Sequence, residues 1–509
     1  MNPRGNVIAG VILFMSYATL FGQPQKIKPV TPNPSSEAVA LLEYIQSISG
    51  SHILSGQHNF PISRDRNSQF ASDFIGETPV VWSQDFGFAE EGDKDSYLAR
   101  PSIIDEAIRQ HRLGSIITLC WHAVPPTASE PVTFQPRPGS DSTRLASVQG
   151  RLSDNQFRDI LRRGTKLNKQ WMKQVDEIAI YLKQLQDAKV PVLWRPYHEM
   201  NGDWFWWGGR HEGKYTTAAL YRHIFDRLVN HHKLTNLIWV WSVDRPSRPD
   251  REFAKYYPGN EYLDILSIDI YGNDFDQSYY DGLMALSNGK PLVLGEVGNP
   301  PSLEILDNQP NWAYWVVWAG MVRGTSKEDY EKLAEDPGPL FMEDPAYSEG
   351  TRDYRIACGF EPLTTNRQAD FTGAWVLNEY ESKLQTFGPS GTPYKLDITQ
   401  KNNELFIKSR SIVEWADDAI TEETLTLDGR DIKSTVFNNA PRIQNARWSA
   451  EKDTLNIDSR MSFNFGGRKV DIDSKDTWTL QRKGKKLVII RVVSSSRGTQ
   501  TSTIVYYKQ

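Results

Sequence analysis

Apolar residues along this chain fall into two textures. Over about the first two thirds, short unbroken apolar runs alternate with stretches in which apolar residues recur every three to four positions. The runs lie at 52–55, 79–83, 115–121, 190–195, 236–242, 263–271, 291–296 and 312–318. Runs of that length read as strands buried on both faces, and the periodic stretches at 103–113, 170–187, 218–231 and 282–287 read as helices. Strands separated by helices predict parallel β/α units. Eight of them is the number that closes a (β/α)8 TIM barrel, so the expected fold class is α/β. The alternative, an open doubly wound sheet, usually carries a glycine-rich phosphate turn after its first strand, and none occurs here. From Phe371 onward the pattern shortens to a period of two. Asn402-Asn403, Asp428-Gly429 and Lys483-Gly484 supply hairpin signals, predicting a small antiparallel β-barrel or sandwich.

The same pass divides the chain. Residues 1–22 have the form of a signal peptide: Arg4 is the basic start, 7–21 is the apolar core, and a small residue, Gly22, stands at the cleavage position. No other stretch is long and apolar enough to span a bilayer. The expectation is an exported protein, periplasmic or extracellular, with no membrane span after cleavage. Residues 23–35, rich in proline, read as a flexible lead-in. The (β/α)8 barrel is expected over 36–367, starting with a helix capped by Ser36, and an antiparallel β domain over 371–509. Between them a short helix at 327–335 leads into an irregular stretch expected to wrap back on the barrel.

Charge and cysteine usage narrow the function classes. A net charge of −5 gives no reason to expect nucleic acid or an anionic membrane as partner. The two cysteines, Cys120 and Cys358, cannot build a zinc site by spacing, and Cys120 inside an apolar strand reads as a buried free thiol.

Chemistry in a barrel gathers where the strands end. The third predicted strand ends in Trp121-His122, the fourth in His198-Glu199, the fifth runs into Trp241 and Asp244, the sixth ends in Asp269 and Tyr271, the seventh in Glu296, and the eighth carries Trp315 and Trp318. Packing does not require polar and aromatic residues at the same end of six strands. The fourth and seventh strand ends face each other across a barrel mouth, so Glu199 and Glu296 can flank one glycosidic bond. Glu199 is followed by Trp204, Trp206 and Trp207, which can desolvate it and suit it to be the acid. Arg195 and Tyr271 are candidates to hold Glu296 ionised and aimed. Of the adjacent pair Trp206 and Trp207, one at most is expected to face sugar; Trp194 and Trp239 are expected in the core. His122 and His198 with Asp269 form a rival metal set, but they come from different strands without a local ligand pair, so neither metal nor cofactor is expected. His111 reads as a helix-surface residue.

The stretch RPYHEMNGDWFWWG (195–208), supported by TLCWH, IDIYG and LGEVG in the right strand order, resembles the signature of glycoside hydrolase family 26, best known for β-mannanases. The resemblance covers about 36–367. It implies a (β/α)8 barrel and a retaining mechanism, with Glu199 as proton donor and acid/base and Glu296 as nucleophile. It further implies that His122, His198, Trp204, Asp269, Tyr271 and Trp318 bind substrate around the cleaved bond, and Arg195 matches the family's strand-four arginine. One departure follows the eighth strand: Ala319 and Gly320 stand where some members have an arginine, and Arg323 is shifted. The implied activity is that of a mannan endo-1,4-β-mannosidase acting on β-mannan polysaccharide or manno-oligosaccharide. The alternatives are a hydrolase of β-1,3-xylan or mixed-linkage glucan, and a non-catalytic glycan-binding protein. In the C-terminal domain, Gly373-Ala374-Trp375 resembles the start of lipocalin-like barrels. A packing role is expected for it, with a sugar-binding module built on Trp415, Trp448 or Trp478 as the alternative.

Overall fold

The computed structural model describes residues 27–88, 99–363, 368–384, 392–436, 439–450, 452–465, 468–481, 484–496 and 498–509. The expected signal peptide lies outside them.

Eight parallel strand positions close the first domain. They are β1 (Ile53–Leu54 and Gly56–His58, broken at Ser55), β2 (Val81–Asp85), β3 (Ile116–Trp121), β4 (Val192–Pro196), β5 (Leu237–Asp244), β6 (Ile265–Ile270), β7 (Leu292–Val297) and β8 (Trp312–Val317). Each pairs with its neighbour in sequence, and β8 pairs with both β7 and β1, which closes the barrel. Every residue of these strands is buried, as their unbroken apolar character predicts. Gly56 is required where β1 meets β8: a Cβ there would sit 2.3 Å from the Trp315 carbonyl oxygen. The helices that cover the barrel begin with local caps. Ser35, one residue before the expected Ser36, caps Ser36–Ile48 by accepting from the Ala38 N–H. Thr165 does the same for Lys166–Asp187, accepting from the Asn168 N–H.

Three expectations need correcting. Residues 27–35 are not a flexible lead-in. The Val30 N–H donates to Asp264 Oδ1 at 2.7 Å, the Thr31 hydroxyl donates to the Leu237 carbonyl at 3.1 Å, and the Ser35 N–H donates to the Thr235 carbonyl at 2.9 Å. Burial pushes the Asp264 carboxyl up to about 6, opposed by the hydrogen bonds it accepts from the Trp239 and Val30 N–H groups. His111 is buried, not on a helix surface: the stretch after the eighth strand folds back over it. The Tyr354 hydroxyl lies 3.2 Å from its Nδ1, and Arg355 donates to its carbonyl at 2.7 Å. The same returning stretch adds Pro339–Leu340, which pairs in parallel with Ile53–Leu54. In the C-terminal domain a strand absent from the sequence reading, Ala440–Trp448, completes the sheet.

Among the described residues that second sheet has ten strands, each antiparallel to the strands it pairs with. The first, Gly373–Leu377, also pairs with the last, Gly498–Lys508. Among the described residues the ladder is open only between Ala419–Thr426 and Ile432–Val436, so it is a nearly closed barrel rather than a sandwich. Trp375 is fully buried and its indole N–H donates to the Phe371 carbonyl at 2.9 Å. Cys120 and Cys358 are both buried.

Candidate active site

The fourth strand delivers its carboxylate through an unusual backbone. After Pro196 the chain enters the left-handed region twice, at Tyr197 (φ 52°) and Glu199 (φ 49°). Each non-glycine residue there costs roughly 1–2 kcal/mol, so the surroundings must enforce it. They do. The Tyr197 hydroxyl accepts from the Trp171 indole at 2.8 Å. Asn201 donates to the carbonyls of Asp244 (2.6 Å) and Arg251 (3.0 Å) and accepts from the Asp244 N–H at 2.7 Å. The Trp207 indole donates to the His198 carbonyl at 2.8 Å. This turn aims Glu199 over the barrel mouth.

Glu199 accepts a 2.5 Å hydrogen bond from the Trp204 indole N–H. Desolvation, reinforced by the charges of Asp269, Glu296 and Asp244, holds its carboxyl well above the usual range. The protonated form that a general acid needs is therefore favoured. The Arg251 guanidinium lies over the Trp204 ring at 4.9 Å, itself held by Asp203 at 2.6 Å. Replacing Trp204 by Phe keeps a platform but removes the donor to Glu199. The expected result is about a tenfold fall in kcat, the size of one hydrogen bond to a carboxyl group; steady-state kinetics on a soluble glycan checks it.

Glu296 is gripped at both oxygens. Arg195 Nη2 donates to Oε1 at 2.5 Å and the Tyr271 hydroxyl donates to Oε2 at 2.6 Å. Arg195 is in turn braced by Asp269 at 2.9 Å, and Asp269 accepts from Ser242 at 3.1 Å. Arg195 and Asp269 are both buried, and neither is among the residues that line the cleft around Glu199 and Glu296. Burial, with the Glu296 charge, holds the Asp269 carboxyl well above its usual range, while Arg195 opposes the shift. A register shift between β6 and β7 seats Glu296 beside Asp269, and Gly295 makes the room. A Cβ at 295 would lie 2.3 Å from Ser267 Oγ and 2.8 Å from Asp269 Oδ1. Gly295→Ala is expected to displace this brace and to cost at least tenfold in kcat with a smaller change in KM, on the order of what a small misplacement of a catalytic group costs.

One oxygen each of Glu199, Asp269 and Glu296 lie within 4.8 Å of one another. Around them, His122, His198, Trp204, Tyr271 and Trp318 line a cleft of about 340 Å³, together with Phe88, Phe134, Gln149 and Phe205. A second depression of about 490 Å³ shares Gln149, Glu199, Trp204 and Tyr271 with it and continues past Asp244, Arg245 and Tyr279. The groove thus runs on both sides of Glu199. A larger hollow of about 640 Å³ beside Asn299 and Tyr330 contains neither Glu199 nor Glu296.

The remaining expectations resolve individually. Trp206 and Trp207 are both fully buried, so neither faces the groove; Trp194, Trp239, Trp241 and Trp315 are core. His198 lies 3.8 Å from Glu296 Oε1, and burial together with His122 and Arg195 holds its imidazole well below the usual range, hence neutral. His122 is fixed by Asp85, which accepts from its backbone N–H at 3.0 Å and contacts its Nδ1 at 2.6 Å. Asp269 is turned toward Arg195 and Ser242, and its carboxylate lies with those of Glu199 and Glu296. Arg323 donates to Asn67 Oδ1 at 2.7 Å and stacks on Phe70, away from the groove.

Two supporting residues escaped sequence reasoning. Asp85 ends β2 at the same level as the other functional groups, and that position was the available signal. His58 is the second. It stacks on Trp318, a residue of the cleft lining, with ring centroids 3.7 Å apart and 19° between the planes.

The sequence of this chain is similar to a mannan endo-1,4-β-mannosidase of Thermothelomyces thermophilus, with 34 % identity over 56 % of this chain and 56 % of that protein. It spans about half the length of the curated relatives it matches first. Among solved structures, a family 26 protein from a Muricauda species superposes with a TM-score of 0.55 at 38 % identity, covering 62 % of this chain and 98 % of that one. A β-mannanase from a symbiotic protist of the termite Reticulitermes speratus, solved with a gluco-manno-oligosaccharide, superposes at 0.53 with 26 % identity, covering 62 % and 96 %. The model of glycosyl hydrolase family 26 matches residues 30–336, which contain every barrel strand and both facing glutamates, and the chain belongs to that family.

Proposed function

We propose that this chain cleaves β-1,4-mannosidic linkages within mannan-type chains by double displacement, with retention. The observation that carries the reading is the division of labour between two carboxyl groups within 4.8 Å of each other. One is favoured protonated beside the Trp204 indole; the other is gripped by Arg195 and Tyr271. Retaining glycosidases place their carboxyl groups about 5–5.5 Å apart, whereas an inverting pair needs roughly 6.5–9.5 Å to admit water.

In the first step Glu199 donates its proton to the glycosidic oxygen while Glu296 attacks the anomeric carbon. The C–O bond breaks, the aglycone leaves as an alcohol, and a glycosyl ester forms on Glu296. In the second step Glu199, now ionised, takes a proton from water, whose oxygen attacks the same carbon and releases Glu296. Trp204 and Trp318 offer sugar platforms, and neutral His198 and Asp85-oriented His122 offer hydrogen bonds to hydroxyls. The groove on both sides of Glu199 favours attack within a chain. The site residues themselves are part of this proposal, as is export, which rests on the basic and apolar pattern of residues 1–22.

The mannan preference draws on the substrates named for the relatives. It is tested by product analysis on mannan, β-1,3-xylan and mixed-linkage glucan, with Glu199→Ala and Glu296→Ala as controls. Oligosaccharides from mannan alone are expected. Products from another glycan alone would replace the substrate, and binding without products would make the chain a glycan-binding protein.

A further inference from the structure

The inner face of the C-terminal barrel is divided in two. At one end Trp375, Leu405, Leu455 and Leu487 form a dry plug. At the other the inward positions turn polar. Asp476, Arg491 and Ser502 stand side by side on three adjacent strands, with Asp476 opposite Arg491 and Arg491 opposite Ser502. Arg491 makes a bidentate pair with Asp476, Nε to Oδ1 at 2.9 Å and Nη2 to Oδ2 at 2.6 Å. Across the gap in the ladder Arg442 donates to Glu423 at 2.9 Å. These groups line a cavity of about 320 Å³, at the low end of small-molecule sites. Trp478 also lines it, 4 % exposed, and its indole N–H has no hydrogen-bond partner among the described residues.

Packing alone does not call for this interior. Small barrels fill with side chains, and ion pairs inside them are commonly no more stabilising than apolar residues of the same volume. We propose that the cavity is a binding site for a short neutral saccharide, one or two sugar units long. Charge balance sets the class. Two arginines are matched by two carboxylates, so a carboxylate or phosphate ligand would have to displace Asp476 or Glu423 and strand a charge. A neutral polyol needs no displacement. Its hydroxyls can accept from guanidinium N–H groups and donate to carboxylate oxygens, which keep acceptor capacity beyond their arginine bonds. Its C–H face matches the Trp478 indole and the neighbouring Ile457 and Ile504.

The test is hydrogen–deuterium exchange on the full-length chain, titrated separately with mannose, mannobiose, glucose, cellobiose and dodecanoate. The choice of manno-sugars rests on the function proposed above; the cavity argument does not. Peptides covering 472–480 and 487–493 are expected to gain protection with at least one of the sugars. That protection is expected to vanish in Ser474→Leu, which fills the cavity and leaves both ion pairs, and in Asp476→Leu/Arg491→Leu, which removes one pair as a unit. Thermal unfolding of each variant reports whether it folds, and two variants guard against the failure of either. Protection near 196–205 reports the catalytic groove independently, so loss of one reading does not mimic loss of the other. Absence of protection in the C-terminal peptides with every sugar, or protection with dodecanoate alone, overturns the proposal.

Discussion

Glu296→Ala is expected to lower kcat on mannan by on the order of 10⁵–10⁶-fold, the scale set by removing a nucleophile that acts as one unit with its partners. The fold should survive, because Glu296 is held by hydrogen bonds rather than by apolar packing. Its removal does leave Arg195 with one carboxylate partner, Asp269, and a loss of stability of about 1–3 kcal/mol follows from an unmade bond to a buried charge. Azide should restore part of the rate on an aryl mannoside. It would occupy the volume of the lost carboxylate and attack from the same face, giving one displacement and therefore the α-mannosyl azide. Rescue with the β-azide would place the nucleophile elsewhere.

Glu199→Ala is expected to behave differently with different leaving groups. On mannan, whose leaving group needs a proton, kcat should fall about 10²–10⁴-fold. On an aryl mannoside with an acidic phenol the first step needs little assistance, so the glycosyl-enzyme should accumulate and KM should fall along with kcat. Azide should now give the β-mannosyl azide, because it attacks the intermediate in the position of water. The pH profile carries the same information. The Glu199 carboxyl is held above its ordinary value, and its acid role requires the protonated form. Activity on mannan should therefore persist to higher pH than an ordinary carboxyl group allows, then fall as that proton is lost. In Glu199→Ala this alkaline limb should disappear. A limb unchanged in that variant would assign it to another group.

The barrel was legible because its strands are apolar on both faces and need no face assignment. Periodicity also located the strand ends, and with them Glu199 and Glu296. It did not report depth. Arg195 and Asp269 stand at strand ends like His122 and Tyr271, yet the first two are buried outside the cleft lining and the latter two belong to it. That difference depends on the strand register and on the space left by Gly295. Long-range partners were hidden for a related reason. His111 becomes a core residue only when Tyr354 and Arg355 return to it across more than 240 residues. In the second domain the strand Ala440–Trp448 carries Pro441, Arg442, Gln444 and Arg447, which mute its alternation. Its inward arginine and glutamine are among the residues that make the barrel interior polar, so the feature that hid the strand is part of its chemistry.

The central claim is that Glu296 forms a covalent bond to the sugar under proton donation from Glu199. Trapping tests it most directly. The protein is incubated with a 2-deoxy-2-fluoro mannosyl fluoride, whose fluorine slows both steps while its good leaving group keeps the first one open, and is then digested for mass spectrometry. One fluoromannosyl unit on Glu296, in the peptide containing residues 292–297, is the predicted result. An adduct on any other carboxylate, or turnover of the reagent with release of the inverted α-sugar, would contradict it.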